Sequence, residues 1–104
     1  MSVVHVVALI TTKPGQREVL LDMFRGNVPN VLAEDGCIEY QATIDAEGLG
    51  AIQTKFGDDT FVVVEKWASL DALNAHAAAP HMAAYAASTK DIIADRVIHV
   101  LSPT

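Results

Sequence analysis

The segment Val3–Thr12 decides most of what this chain can become. It is dense in β-branched residues and stops at Lys13-Pro14-Gly15, which favours a strand over a helix. A strand here carries Val3, His5, Val7 and Leu9 on one face and Val4, Val6, Ala8 and Ile10 on the other. A strand apolar on both sides has to be covered on both sides. With 104 residues the chain is expected to form a single domain over 1–104, too small to cover both faces of its own sheet. A second copy is therefore expected on the open face, giving a homodimer. Composition agrees, since 51% hydrophobic against 19% charged residues is apolar-rich for a small monomer.

The remaining pattern completes the fold. From Gln16 the apolar positions take helical spacing through Leu20, Met23, Phe24, Val28 and Val31, and the segment ends at Glu34-Asp35-Gly36, where Gly36 suits a left-handed cap. Pro29 inside this stretch predicts a kink or break near Asn27. Cys37–Ile44 alternates as a second strand, with Ile38, Tyr40, Ala42 and Ile44 on one side. Ala46–Asp59 reads as a long connection, part of it strand around Ile52–Phe56, serving as a flap over a pocket or an arm around a partner subunit. Thr60–Ala68 is a third strand that shows Phe61, Val63, Glu65 and Trp67 on one face. Ser69 caps a helix whose Leu70, Leu73, His76 and Ala77 share a face; Pro80 opens another helix to about Ala94, and Arg96–Leu101 forms the last strand. This order predicts an α+β, ferredoxin-like split βαβ sandwich: a four-stranded antiparallel sheet with helices on one face.

Several functions are excluded at this stage. The net charge of -6, from 13 acidic and 7 basic residues with no Lys/Arg run, removes the attraction that drives nucleic-acid binding. The single cysteine, Cys37, rules out an internal disulfide and suits a reducing, cytoplasmic setting; it reads as structural. No apolar run approaches the roughly 20 residues needed to cross a bilayer, so no membrane contact is expected. Gly48-Leu49-Gly50 lacks the third glycine of a dinucleotide loop, and His76 and His81 lie five apart across a proline, the wrong spacing for a metal pair. No metal and no cofactor is expected.

Strand one is expected beside strand three, so His5, Val7, Glu65 and Trp67 are expected along one sheet face, with His76, His81 and Tyr85 projecting from the helices above. An apolar space with a few convergent polar groups is the usual form of a small-molecule site. Each residue also has a plainer reading. Trp67 and Phe61 fit a packed core equally well, His76 a hydrogen-bonded core histidine, and His81 an exposed helix start. Glu65 is the odd one, because a carboxyl inside an apolar strand is costly unless partnered.

Glu34-Asp35-Gly36-Cys37, Tyr40, Phe61, Glu65-Lys66-Trp67, Leu70, Leu73, His76, Pro80-His81-Met82 and Tyr85 together resemble the antibiotic biosynthesis monooxygenase domain, over roughly Val3 to Leu101. The resemblance implies a dimeric α+β barrel and an activity such as the cofactor-free oxygenation of quinols or anthrone-like aromatics. It places Trp67 at the family's pocket tryptophan and His76 at a recurrent histidine. Haem-degrading members carry an asparagine on strand one and an axial histidine after the proline; Val7 and Tyr85 stand there in this chain, against that branch. The expected function is thus a monooxygenase acting with dioxygen on a phenolic, quinol or anthrone-type substrate. In it His76 or His5 takes a proton, Tyr85 or His81 donates to the oxyanion, and Trp67, Phe61 and Glu65 hold the ring. The alternative is a non-catalytic dimeric protein that binds a small aromatic or quinone.

Overall fold

The computed structural model describes residues 2–104. Its elements are β1 (Val4–Thr12), α1 (Arg17–Leu32), β2 (Cys37–Thr43), β3 (Thr60–Trp67), α2 (Leu70–Ala77), α3 (Pro80–Thr89) and β4 (Ile93–Leu101). The strands form one sheet in the order β2-β3-β1-β4, with every neighbouring pair antiparallel. The expected α+β arrangement is therefore present, with β1 at its centre.

Burial alternates along β1: Val4, Val6, Ala8, Ile10 and Thr12 are buried, and the residues between them are half-buried. Register tells which set faces the helices. Val4 pairs with Trp67, Val6 with Glu65, Ala8 with Val63 and Ile10 with Phe61, and direct cross-strand partners share a face. The helices cover that face. Leu20, Leu21, Phe24 and Val31 of α1 are buried in the core, where Phe24 stacks on Tyr40 at 5.0 Å and meets Phe61 edge-on at 5.9 Å. The helices leave β4 bare: Ile98 and Val100, on the helix side of the sheet, are half-exposed.

The turn after α1 is as expected. Gly36 has φ +84, and a Cβ there would stand 2.6 Å from the Ala72 Cβ, so glycine is required both by conformation and by the close approach of α2. Ser69 caps α2 by accepting from Ala72 N–H at 3.1 Å, and Pro80 is the first residue of α3.

Some details differ from expectation. Helix α1 runs unbroken through Pro29, which lies on the exposed side and is bracketed by the buried Phe24 and Val31; packing holds the helix across the missing donor. Helix α3 stops at Thr89, and β4 begins at Ile93, because the β-branched Ile92-Ile93 pair favours strand. In β2 a register shift between Cys37 and Glu39 turns Ile38 outward, and Ile44 beyond the strand end is also exposed; only Tyr40 and Ala42 of that expected face pack on the core. In α2, Leu70 and Ala77 are exposed, and Leu73 and His76 face inward. The 46–59 connection contains a 3-10 turn at Gly50–Ile52 and no strand near Ile52–Phe56. Its fold is tied by the Asp45 carboxylate, which accepts from the backbone N–H groups of Phe56 (3.0 Å) and Gly57 (2.8 Å).

Candidate functional site

Between the sheet and the α2–α3 pair lies an open cleft of about 870 Å³. Its floor is Val6, Ala8, Ile10, Phe61, Val63 and Glu65, and Tyr40, His76, Met82 and Tyr85 are among its walls. The even-numbered side chains of β1 supply the floor because the register turns them toward the helices. His5 therefore pairs with Lys66 on the opposite face of the sheet, with Val7 beside it. The expectation that His5 and Val7 share a face with Glu65 and Trp67 is overturned: one residue of register decides the face, and antiparallel pairing of β1 with β3 fixes it the other way.

The polar end of the cleft is built around Glu34. This residue follows α1, whose terminal carbonyls make the position unfavourable for a carboxylate. Two histidines compensate. Glu34 Oε2 accepts from His76 Nδ1 at 2.8 Å and from His81 Nε2 at 3.0 Å, and His81 Nδ1 contacts Asn27 Oδ1 at 3.2 Å. The Gly36 turn and the Ser69 cap bring the two ends of this cluster together, from α1 and α2, and Pro80 starts the helix that carries His81. His76 is buried; its ring lies 4.6 Å from that of Trp67 and meets Tyr40 edge-on at 5.5 Å. Nδ1 is the ring nitrogen engaged by the carboxylate, and Nε2 has no hydrogen-bond partner among the described residues although the ring lines the cleft.

Glu65 has the partner its position demands. Trp67 Nε1–H donates to Glu65 Oε1 at 2.9 Å, while Oε2 has no partner among the described residues. Burial pushes the Glu65 carboxyl above the usual carboxylate range; the indole N–H and the nearby His76 oppose the shift, and Glu34 adds to it. Burial likewise pushes the Tyr40 hydroxyl strongly upward and the Tyr85 hydroxyl up to about 12, so both are neutral O–H donors.

The expected site residues thus separate. His76, Glu65, Phe61 and Tyr85 line the cleft. Trp67 does not: it is 0% exposed and stands behind, holding Glu65 and packing on His76. His81 also lies outside the lining and reaches the site only through Glu34. No residue of the 46–59 connection lines this cleft. Glu34, Tyr40 and Asn27 were not among the expected site residues. The signal for Glu34 was its place just past a helix C-terminus, where a carboxylate needs a cationic or N–H partner.

Comparison with known proteins places this geometry. Residues 3–88 match the family described as Antibiotic biosynthesis monooxygenase. The "Probable quinol monooxygenase YgiN" of Escherichia coli strain K12 is 38% identical over 100 residues, 94% of this chain and 95% of that protein. Among solved structures, Rv0793 from Mycobacterium tuberculosis superposes with a TM-score of 0.80 at 27% identity, covering 99% of this chain and 96% of that one. PA3566 from Pseudomonas aeruginosa, at 23% identity and a TM-score of 0.81, covers 100% and 96% respectively and shows the same fold. The chain belongs to the antibiotic biosynthesis monooxygenase family, which supports a monooxygenase-like function.

Proposed function

We propose that the protein oxygenates a small quinol or related phenolic aromatic with dioxygen, and that His76 is the base. The observation that carries this reading is the pairing of His76 Nδ1 with Glu34, which leaves Nε2 unpartnered at an apolar cleft. The 38% identity to a quinol monooxygenase relative supports the substrate class.

In this reading the ring lies on Phe61, Val63 and Ala8, and Glu65 Oε2 engages one of its hydroxyls. His76 Nε2 takes the proton of a second hydroxyl; the O–H bond breaks, its electron pair stays on oxygen, and the ring becomes an electron-rich anion. That anion reduces dioxygen by itself, forming a C–O bond, so no resident redox group is needed. His76 Nε2–H returns the proton to the distal oxygen, giving a hydroperoxide on the ring; the oxygenated carbon then loses its own hydrogen as a proton, the C–H electron pair forms the new carbonyl as the O–O bond breaks, and the departing hydroxide takes up that proton and leaves as water. A quinol and dioxygen give a hydroxyquinone and water, with all four electrons drawn from the substrate. Glu34 steadies the imidazolium that forms in between. Tyr40 and Tyr85 supply neutral O–H donors at the walls.

The reading includes a homodimer closed over the free face of the sheet. Val7, Leu9, Val62, Val64 and Val97 form an apolar band there by register, and Leu49, Ile52 and Phe56 of the 46–59 arm are exposed beside it in the sequence of the chain. Sedimentation at micromolar concentration gives a dimer mass on this account, and a monomer contradicts it.

Oxygen uptake with 1,4-naphthoquinol, corrected for autoxidation, tests the activity. Catalysis above the buffer rate that is lost in His76→Gln is expected. Reversible binding of the quinol with no uptake overturns the enzyme reading and leaves an aromatic-binding protein.

A further inference from the structure

The two ends of the cleft differ in charge. Along β1, Val6 stands level with Glu65 on one side, and Ile10 stands level with Arg96 on the other. Four residues of strand separate them, roughly 13 Å at about 3.3 Å per residue. The Glu65 carboxyl marks one end, with Glu34 behind it on His76 Nδ1, and Arg96 and Lys90 line the other.

These two cations are unengaged. Of the chain's seven Lys and Arg residues, Arg17, Arg25 and Lys55 each have a carboxylate within ion-pair distance. Arg96 and Lys90, like Lys13 and Lys66, have none among the described residues, but only Arg96 and Lys90 line the cleft. Asp95 borders the same end, but its register partner Thr11 lies on the opposite face of the sheet. Lys90 caps the C-terminus of α3, where its charge offsets the helix dipole; Arg96 has no such partner. Beside them the Tyr85 hydroxyl has no hydrogen-bond partner among the described residues, and the Arg96 charge is close enough to act on it. Three donors, Arg96, Lys90 and Tyr85, therefore line one end of a cleft whose floor there is apolar, and none of them has a side-chain partner among the described residues.

We propose that the Arg96 end is a subsite for an anionic substituent, a carboxylate or an equivalent acidic group, on an aromatic whose hydroxyl is held at the Glu65–His76 end. The proposal rests on the reading of the cleft as the ligand site and adds the class of substrate and its direction of entry. The acidic end repels the anion and the basic end attracts it, so a ligand polarised in this way has one orientation. Apolar walls strengthen both effects relative to open water, and the exposed mouth makes the attraction sensitive to salt.

Two ligands that differ by one group test it: 6-hydroxy-2-naphthoate and 2-naphthol, titrated calorimetrically under nitrogen so that no turnover is required. At low ionic strength the naphthoate is expected to bind roughly tenfold more tightly, the size of one charge-assisted hydrogen bond. That advantage is expected to shrink in 0.5 M salt and to disappear in Arg96→Gln, which binds 2-naphthol as the unmodified protein does. Equal affinity for the two ligands, or an advantage that Arg96→Gln retains, overturns the anionic subsite while leaving the cleft as an aromatic site. Failure of both ligands to bind overturns the ligand-site reading, and the subsite with it.

Discussion

The two ends of the cleft are built differently. At the Glu34 end every group is held: Trp67 is fully buried, its indole N–H fixes Glu65, its ring supports His76, and Glu34 fixes both histidines. At the β4 end Ile98, Val100 and Arg96 are exposed, no helix covers the strand, and the Arg96, Lys90 and Tyr85 side chains have no partners among the described residues. The first arrangement suits chemistry, which needs a fixed nitrogen at a fixed place. The second suits recognition, where a ligand completes contacts that the fold leaves open. The rigid side chains of the sheet stand on β3 and the open ones on β4, with β1 between them.

The largest expected effect falls at the rigid end. His76→Gln lowers oxygen uptake by about 10²-fold or more, the usual size of losing a general base, in a protein that still folds. A destabilised variant with near-normal turnover per folded molecule would make His76 a core residue and erase the contrast. Next comes Glu34→Ala, expected to cost roughly 10-fold to 100-fold in turnover through loss of the group that orients the base. It also lowers stability by about 1–3 kcal/mol in urea unfolding, because the buried His76 loses its partner.

Glu65 sharpens the comparison through pH. Its carboxyl is raised in the folded protein by burial, so above the usual carboxylate value the unfolded chain releases its proton first. The unfolded state then binds fewer protons than the folded one, and stability falls as pH rises through that window. Glu65→Gln removes this contribution, and urea midpoints measured from pH 4 to pH 8 are expected to show a flatter profile. An unchanged profile would mean that Glu65 ionises as it does in water. The smallest effects belong to the open regions. Ile98→Ala is expected to change stability by no more than about 0.5 kcal/mol, since half of that side chain is already in solvent. His5→Gln, on the far face of the sheet, leaves oxygen uptake per folded molecule unchanged.

Much of this was legible in the chain. The alternation in Val4–Thr12 and Thr60–Trp67, the Gly36 turn, the Ser69 cap and Pro80 at a helix start are local signals, and each has its expected structure. What was not legible depends on pairing between distant segments. The choice between the two faces of β1 is made by its register with β3, 51 to 63 positions away at Ile10↔Phe61 and Val4↔Trp67, and both faces are apolar, so composition gives no preference. Hence the sequence puts His5 beside Glu65, whereas the register puts it behind the sheet. Glu34 was read as part of a helix end because its partners, His76 and His81, are 42 and 47 positions further on. Trp67 was recognised as important, and its burial shows that its contacts are with Glu65 and His76, not with the open cleft.

In the proposed mechanism Glu34 holds His76 with the proton on Nδ1 and a lone pair on Nε2 at the cleft. Long-range ¹H–¹⁵N spectra of histidine-labelled protein at neutral pH, with His76 assigned by its loss in His76→Gln, read this directly. The account predicts a protonated Nδ1 and an unprotonated Nε2 for His76, and a shift of the Nε2 signal when 2-naphthol is added. A His76 ring with its proton on Nε2, or an Nε2 signal indifferent to the ligand, would contradict it.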